Sequence, residues 1–374
     1  MPRRLTNRAG HDFVPAISPS GTYVALVSAT AEGPQLRVLD AQGTEAARLD
    51  ANFGRVTEPA WRHDGRGLVF AAASRPGAPY SLYSARLPLI DPEVIIEGRF
   101  SGAEGLSFNH EGRLFIAADR AVWEVARDGS TRRVAGFASN LGLAPDGARD
   151  IVMADFGPLV RPQAGPNRDG VIWRVTPEGA TTRVAEGIGD PNAIVKLPNG
   201  HLLVSDDFVR EIYEIDLTGA VRVFSDKIPF PNGLALSPDG SALYVAQLFR
   251  SAPTAPPPAR YEDFSNIVWR LPLVNGRPGD PQELFRTAGE GTGPDGVAVD
   301  ETGRVYVSAA RVGELWRFDP RTNRRERLAA GLPGLASLAF GQGPFERESL
   351  YATQIRGGRL LRFSVGARGA PLLE

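Results

Sequence analysis

Apolar and polar residues alternate along most of this chain, and the alternation breaks at regular intervals on Pro, Asp, Asn and Gly. In NGLALSPDGSALYVA, from Asn232, a period-two run meets the turn SPDG and a second apolar run follows. That order predicts a strand, a tight turn and an antiparallel strand. The pattern recurs as PAISPSGTYVALVS from Pro15, PAWRHDGRGLVFAA from Pro59, EGLSFNHEGRLFIAA from Glu104 and LGLAPDGARDIVMAD from Leu141. NAIVKLPNGHLLVSD from Asn192, DGVAVDETGRVYVSA from Asp295 and a degenerate copy from Ala336 complete eight repeats. Most hairpins are followed by a third short run, such as VWEVARDG, IWRVTPEG, VWRLPL or LWRFDP. Units of roughly forty residues with several strands and no helical period predict an all-β fold of the β-propeller class.

Trp123, Trp173, Trp269 and Trp316 hold one place in their third strands, which suits packing between sheets. Two insertions lengthen the spacing, at 156–170 and 248–266. Each follows a second strand, so both are expected at one face of the molecule.

One polar position breaks the apolar pattern in a fixed register. Counting back eight residues from the turn glycine gives Glu104, Asn192, Asn232 and Asp295, while the other copies show Phe13, Thr57, Ser139 and Leu335. The next residue in the four polar copies is always Gly or Ala, which leaves room for backbones to crowd. The first strand of a propeller sheet lines the central channel, so equal register places four oxygen-bearing side chains around the axis at one height. Two carboxylates and two amides are hard donors suited to Ca²⁺ or another divalent cation, and poorly suited to Zn²⁺ or copper. Facing carboxylates also need a counter-ion in order to ionise. For any single one of these residues, capping of the preceding loop is the alternative reading.

Composition narrows the chemistry. The chain has 374 residues, 42% hydrophobic and 23% charged, enough for a large core. A formal net charge of −1 offers no field for nucleic acid or an anionic membrane, so a small-molecule partner is expected. The absence of cysteine excludes disulfides, thiolate metal sites and cysteine nucleophiles. No apolar run in the sequence reaches the length of a signal core or a membrane span, and a soluble cytoplasmic protein is the expectation. The four histidines fall in or beside turns or near the start of the chain, so a Ser-His-Asp arrangement on the axis is excluded.

The motifs AEGLSF around Glu104, PNGLALSPDGSALYVA around Asn232 and GPDGVAVDETGRVYVSA around Asp295 resemble the gluconolactonase, senescence marker protein and luciferin-regenerating enzyme family. The resemblance covers residues 99–374, as six repeats; residues 1–98 add two repeats that resemble TolB-type blades. It implies a propeller with a catalytic divalent metal on its axis. Glu104, Asn232 and Asp295 then resemble metal ligands, and Asn192 the amide that binds metal or substrate. Asp295 matches the family's general base or nucleophile. Asp119, Asp155, Asp207 and Gln247, which end second strands, are further candidates to reach the substrate. The third-repeat motif DPNAIV lacks the acidic residue that often follows this Asn and the Arg that often precedes it. That departure bears on sugar-lactone specificity.

Two sheets alone would leave open edges, so a single eight-bladed ring over residues 1–374 is the expected architecture, with a six-bladed disc and an appended N-terminal segment as the alternative. In the wider ring Glu104 would be the first ligand lost. The function these residues imply is metal-dependent hydrolysis of a lactone or related ester. A metal-independent, strictosidine synthase-like condensation enzyme and a non-catalytic interaction propeller are the competing readings.

Overall fold

The computed structural model describes residues 4–6, 11–31, 33–49, 53–139, 141–159, 167–206, 208–250 and 263–373. The described residues form strands joined by short turns, with no α-helix, as the period-two patterning predicts. They divide into two compact units. Unit 1 comprises Met1–Val94 with Glu326–Leu332, and unit 2 comprises Ile95–Arg325 with Pro333–Glu374.

Unit 1 holds a four-stranded antiparallel meander starting at Asp12–Ile17 and a three-stranded one starting at Arg55–Trp61. Its core gathers Tyr23, Val27, Val38, Leu68 and Phe70. Tyr23 stacks on Trp61 with ring centroids 6.1 Å apart, and the indole donates to the Ala16 carbonyl at 3.0 Å.

Unit 2 contains six antiparallel sheets. Their first strands are Ala103–Phe108, Leu143–Asp146, Pro191–Lys196, Pro231–Leu236, Pro294–Val299 and Leu335–Phe340. Five of the sheets take all their strands consecutively along the chain. The sixth differs, because its outermost strand is Glu93–Ile96, which precedes the first sheet in sequence. The predicted tryptophan role is met: Trp123, Trp173, Trp269 and Trp316 each pack against one of the apolar clusters.

The first strands touch in cyclic order, the sixth against the first. Backbone crowding shows how close the approach is. A Cβ at Gly105 would overlap the Leu141 carbonyl, at Gly142 that of Asn192, at Gly233 that of Asp295 and at Gly296 that of Ala336. Hydroxyls complete the cycle: Ser205 Oγ donates to the Asn232 carbonyl at 2.7 Å, Ser308 Oγ to the Ala336 carbonyl at 2.6 Å, and Thr353 Oγ1 to the Glu104 carbonyl. The expected ring of eight sheets over residues 1–374 is therefore corrected: the cycle of first strands closes within unit 2, with six members. Its tightness follows from glycine, since Gly105, Gly142, Gly233 and Gly296 let the next strand come within backbone contact.

Gly296→Ala puts a methyl against that neighbouring carbonyl and is expected to destabilise unit 2 by about 1–3 kcal/mol. A lower denaturant midpoint at unchanged m-value checks it.

Candidate functional site on the unit 2 axis

Each donor predicted from the register sits in a β-bulge. The pairing Pro231↔Gln247 is followed by Leu234↔Val245, so Asn232 and Gly233 share the bulge. Pro191↔Asp206 then Ile194↔Val204 places Asn192 and Ala193 likewise, and Pro294↔Ala309 then Val297↔Val307 places Asp295 and Gly296. Glu104 and Gly105 occupy the same interruption in the first sheet. An extra residue on one strand re-aims its side chain out of the pleat, which explains how a polar group can leave an apolar strand face at this one point. The second strand locks the bulge. Ser205 Oγ accepts from Ala193 N at 3.0 Å, and Ser308 Oγ from Gly296 N at 2.8 Å.

The structure brings the predicted residues together. Asn192, Asn232 and Asp295 are buried and line one cavity of about 230 Å³. Glu104, half-buried, is hydrogen-bonded by the Asn192 side chain and lies within electrostatic reach of Asp295. Glu104, expected to be the first to part from the others in a wider ring, thus lies with them, because a six-membered cycle is narrower than an eight-membered one.

Burial drives the pKa of both carboxyls upward, and the charge of Asp295 raises that of Glu104 further while the Asn192 hydrogen bond lowers it. Among the described residues no cationic side chain acts on either. Asn232 Oδ1 is buried and has no hydrogen-bond partner among the described residues. A buried carbonyl oxygen left without a donor is costly in a folded protein. Two carboxyls, one buried and one half-buried, and an unsatisfied amide oxygen together form a donor set that a divalent cation would fit, on oxygen chemistry and on charge.

The second-rank candidates have structural partners. Asp119 is exposed and accepts from Ser101 N at 3.1 Å and from the Ser101 hydroxyl. Asp155 accepts from Ser139 N, Gly157 N and Trp173 Nε1 at 2.8, 2.9 and 3.3 Å. Gln247 donates to the Phe249 carbonyl at 2.8 Å and accepts from Trp269 Nε1 at 2.9 Å. Asp207 lies outside the described residues, as do 160–166 and 251–262 of the two insertions.

Residues that the repeat pattern did not single out also shape this end. Phe156, Phe208 and Phe249 each follow a second strand by one or two residues. The signal was present in the repeated strings ADF, DDF and QLF.

The far end of the cavity, away from Asn192, Asn232 and Asp295, is mostly apolar, with Lys196 and Gln342 as polar members of its lining. Gly369–Leu373 line it with Leu236, Val299 and Phe340. Ala370 N donates to the Val299 carbonyl at 2.9 Å and fixes that C-terminal segment.

Comparison with known proteins agrees with the resemblance carried by these residues. Residues 204–356 match the SMP-30/Gluconolactonase/LRE-like region. The match includes the Asn232 and Asp295 motifs. The chain is 25% identical over 240 residues to the pentonolactonase of Haloferax volcanii, covering 54% of this chain and 76% of that protein. It is 26% identical over 304 residues to the gluconolactonase of Zymomonas mobilis, covering 76% of this chain and 72% of that protein. Among solved structures it resembles regucalcin from Agrobacterium tumefaciens, a calcium-binding protein, with a TM-score of 0.59 at 20% identity. That alignment covers 76% of this chain and 97% of the other, and it speaks for the fold. Among the described residues no helix is long and apolar enough to cross a membrane.

Proposed function

We propose that this chain is a metal-dependent hydrolase of a lactone or related ester, with Glu104, Asn192, Asn232 and Asp295 holding a divalent cation, Ca²⁺ first among the choices. The relatives named pentonolactonase and gluconolactonase support the reaction class. The buried, unpartnered Asn232 Oδ1 beside two carboxyls pushed toward protonation is the observation that carries the reading.

A bound cation would polarise the substrate carbonyl and offset the negative charge that develops on its oxygen. The protein's own groups supply the rest. Asn192 orients the Glu104 carboxyl through their hydrogen bond, and the Ser205 and Ser308 latches hold the bulges of the neighbouring donors. Asp295 removes a proton from the attacking water or attacks the carbonyl carbon itself. In the first course the water oxygen bonds to carbon, the ring C–O bond breaks, and the proton returns from Asp295 to the leaving alkoxide to give the hydroxy acid.

Chelation tests this directly. EDTA is expected to abolish turnover, and readdition of Ca²⁺ to restore it. Calcium at about a hundred times its dissociation constant adds about 2.7 kcal/mol of stability, a gain expected to vanish in Asn232→Ala. Turnover that survives chelation, or a calcium-induced rise in Tm that persists in that variant, sinks the proposal.

A further inference from the structure

On the second to fourth sheets the polar side chains Asp155, Asp206 and Gln247 at the mouth of the axial site are bound up in structure, whereas the rings beside them are arranged as a surface. Pro191 pairs with Asp206, and Pro231 with Gln247, so second strands end where the donor-bearing first strands begin. At that end Phe156 meets Phe208 with ring centroids 6.4 Å apart, Phe208 stacks on Phe249 at 6.2 Å, and Phe249 meets Phe264 at 5.0 Å. Phe230 joins edge-on to Phe249 at 6.2 Å, and the Arg311 guanidinium lies 5.7 Å from the Phe264 ring centroid. Phe156 and Phe249 are buried; Phe208, Phe230 and Phe264 keep part of their surface open. The rings make an arc over three consecutive sheets of unit 2, the second to the fourth.

Phe230 supplies an independent argument. It lies two residues before Asn232 and has φ of 49°, in the left-handed region that disfavours any side chain. In the sixth sheet the bulge puts Ala336, one residue beyond the Leu335 expected from the count, in the place of the donors. The positions two residues before Asp295 and Ala336 are Gly293 at 66° and Gly334 at 85°, which adopt the region without a steric penalty. In the fourth sheet a phenyl ring is retained at a position where the backbone prefers glycine. Two backbone bonds hold it there, from Phe230 N to the Val209 carbonyl at 2.6 Å and from Leu248 N to the Phe230 carbonyl at 3.1 Å. Backbone strain kept beside a candidate site points to use of the side chain.

Around the arc, Asp155, Asp206 and Gln247 spend their polar atoms on backbone and tryptophan partners. A polyhydroxylated ring would find aromatic faces where it needs hydrogen bonds. An aryl or bulky apolar substituent would instead stack on Phe208 and Phe230 with its reacting carbonyl over Asp295. We infer that this chain selects lactones or esters that carry an aromatic or bulky apolar substituent, and that Phe208 and Phe230 are its specificity-determining residues. The inference rests on the hydrolase reading for the reaction, and on the arc alone for the substituent.

The test compares γ-phenyl-γ-butyrolactone, γ-butyrolactone and D-glucono-δ-lactone with calcium-loaded protein, in the original chain and in Phe208→Ala and Phe230→Gly. Phe230→Gly relieves the backbone and therefore keeps the fold. The expected kcat/KM of the original chain is at least about tenfold higher for the phenyl lactone than for the gluconolactone, since a remote apolar group contributes through binding. Both variants should lose at least fivefold more on the phenyl lactone than on γ-butyrolactone. Preference for the gluconolactone, or equal losses on the two butyrolactones, overturns the inference while leaving the hydrolase reading intact. If none of the lactones is turned over, the hydrolase reading fails and calorimetric titration decides the arc. Binding of the phenyl lactone that weakens in Phe230→Gly upholds it, and absence of binding overturns it.

Discussion

Asp295→Asn is expected to lower kcat for lactone hydrolysis by about 10²–10⁴-fold, the range for loss of a positioned acid–base group, and more if the carboxylate is itself the nucleophile. The same change should raise the Tm of calcium-free protein at pH 8. An amide at this position removes one of two carboxyls that oppose each other's ionisation, so the metal-free fold gains what the reaction loses. A residue that merely supported the fold would lower both readouts. Activity assays paired with melting curves in the presence and absence of calcium therefore separate the roles, and a variant that keeps full turnover removes Asp295 from the mechanism.

The second large effect is the pH dependence of the metal-free protein. Burial pushes Glu104 up to about 8 and Asp295 up to about 7, well above ordinary carboxyl values near 4. The folded state then holds these protons more tightly than the unfolded chain. Their contribution to stability is fully present below about pH 4 and is lost as pH rises through the raised values near 7 and 8. Calcium-free protein should accordingly lose Tm between pH 5 and pH 8 from this pair. On the proposed reading calcium would bind the ionised form, so its stabilisation should be larger at pH 8 than at pH 5. Melting curves at the two pH values, with and without calcium, check both signs. A calcium-induced rise in Tm that is larger at pH 5 than at pH 8 rules out these carboxyls as the ligands.

How much of this was legible beforehand differs between fold and site. The hairpin repeats announce the sheets because turn glycines and period-two runs are local features. The position eight residues before the turn glycine identifies Glu104, Asn192, Asn232 and Asp295 because strand register carries one turn's position to the far end of the same strand. The number of sheets in the closed cycle is a different kind of fact. It depends on which backbones Gly105, Gly233 and Gly296 press against, and the six-membered closure rests on contacts as remote in sequence as Thr353 with Glu104. A repeat count cannot show where such a cycle closes. The second-rank residues illustrate the converse. Asp155 and Gln247 occupy equivalent strand ends, but the pattern cannot tell that their polar atoms hold Trp173 and Trp269 in place. The phenylalanines were visible as letters, yet only their mutual distances make them a surface.

The strand Glu93–Ile96 has a practical consequence for anyone wishing to cut this protein down. A fragment that begins where the first hairpin of unit 2 begins, near Ala103, would omit the outermost strand of the sheet that holds Leu335–Phe340. The raw border left on Arg359–Phe363 would invite pairing between molecules. A fragment meant to keep that sheet whole therefore starts no later than residue 93, ten positions upstream of the first hairpin.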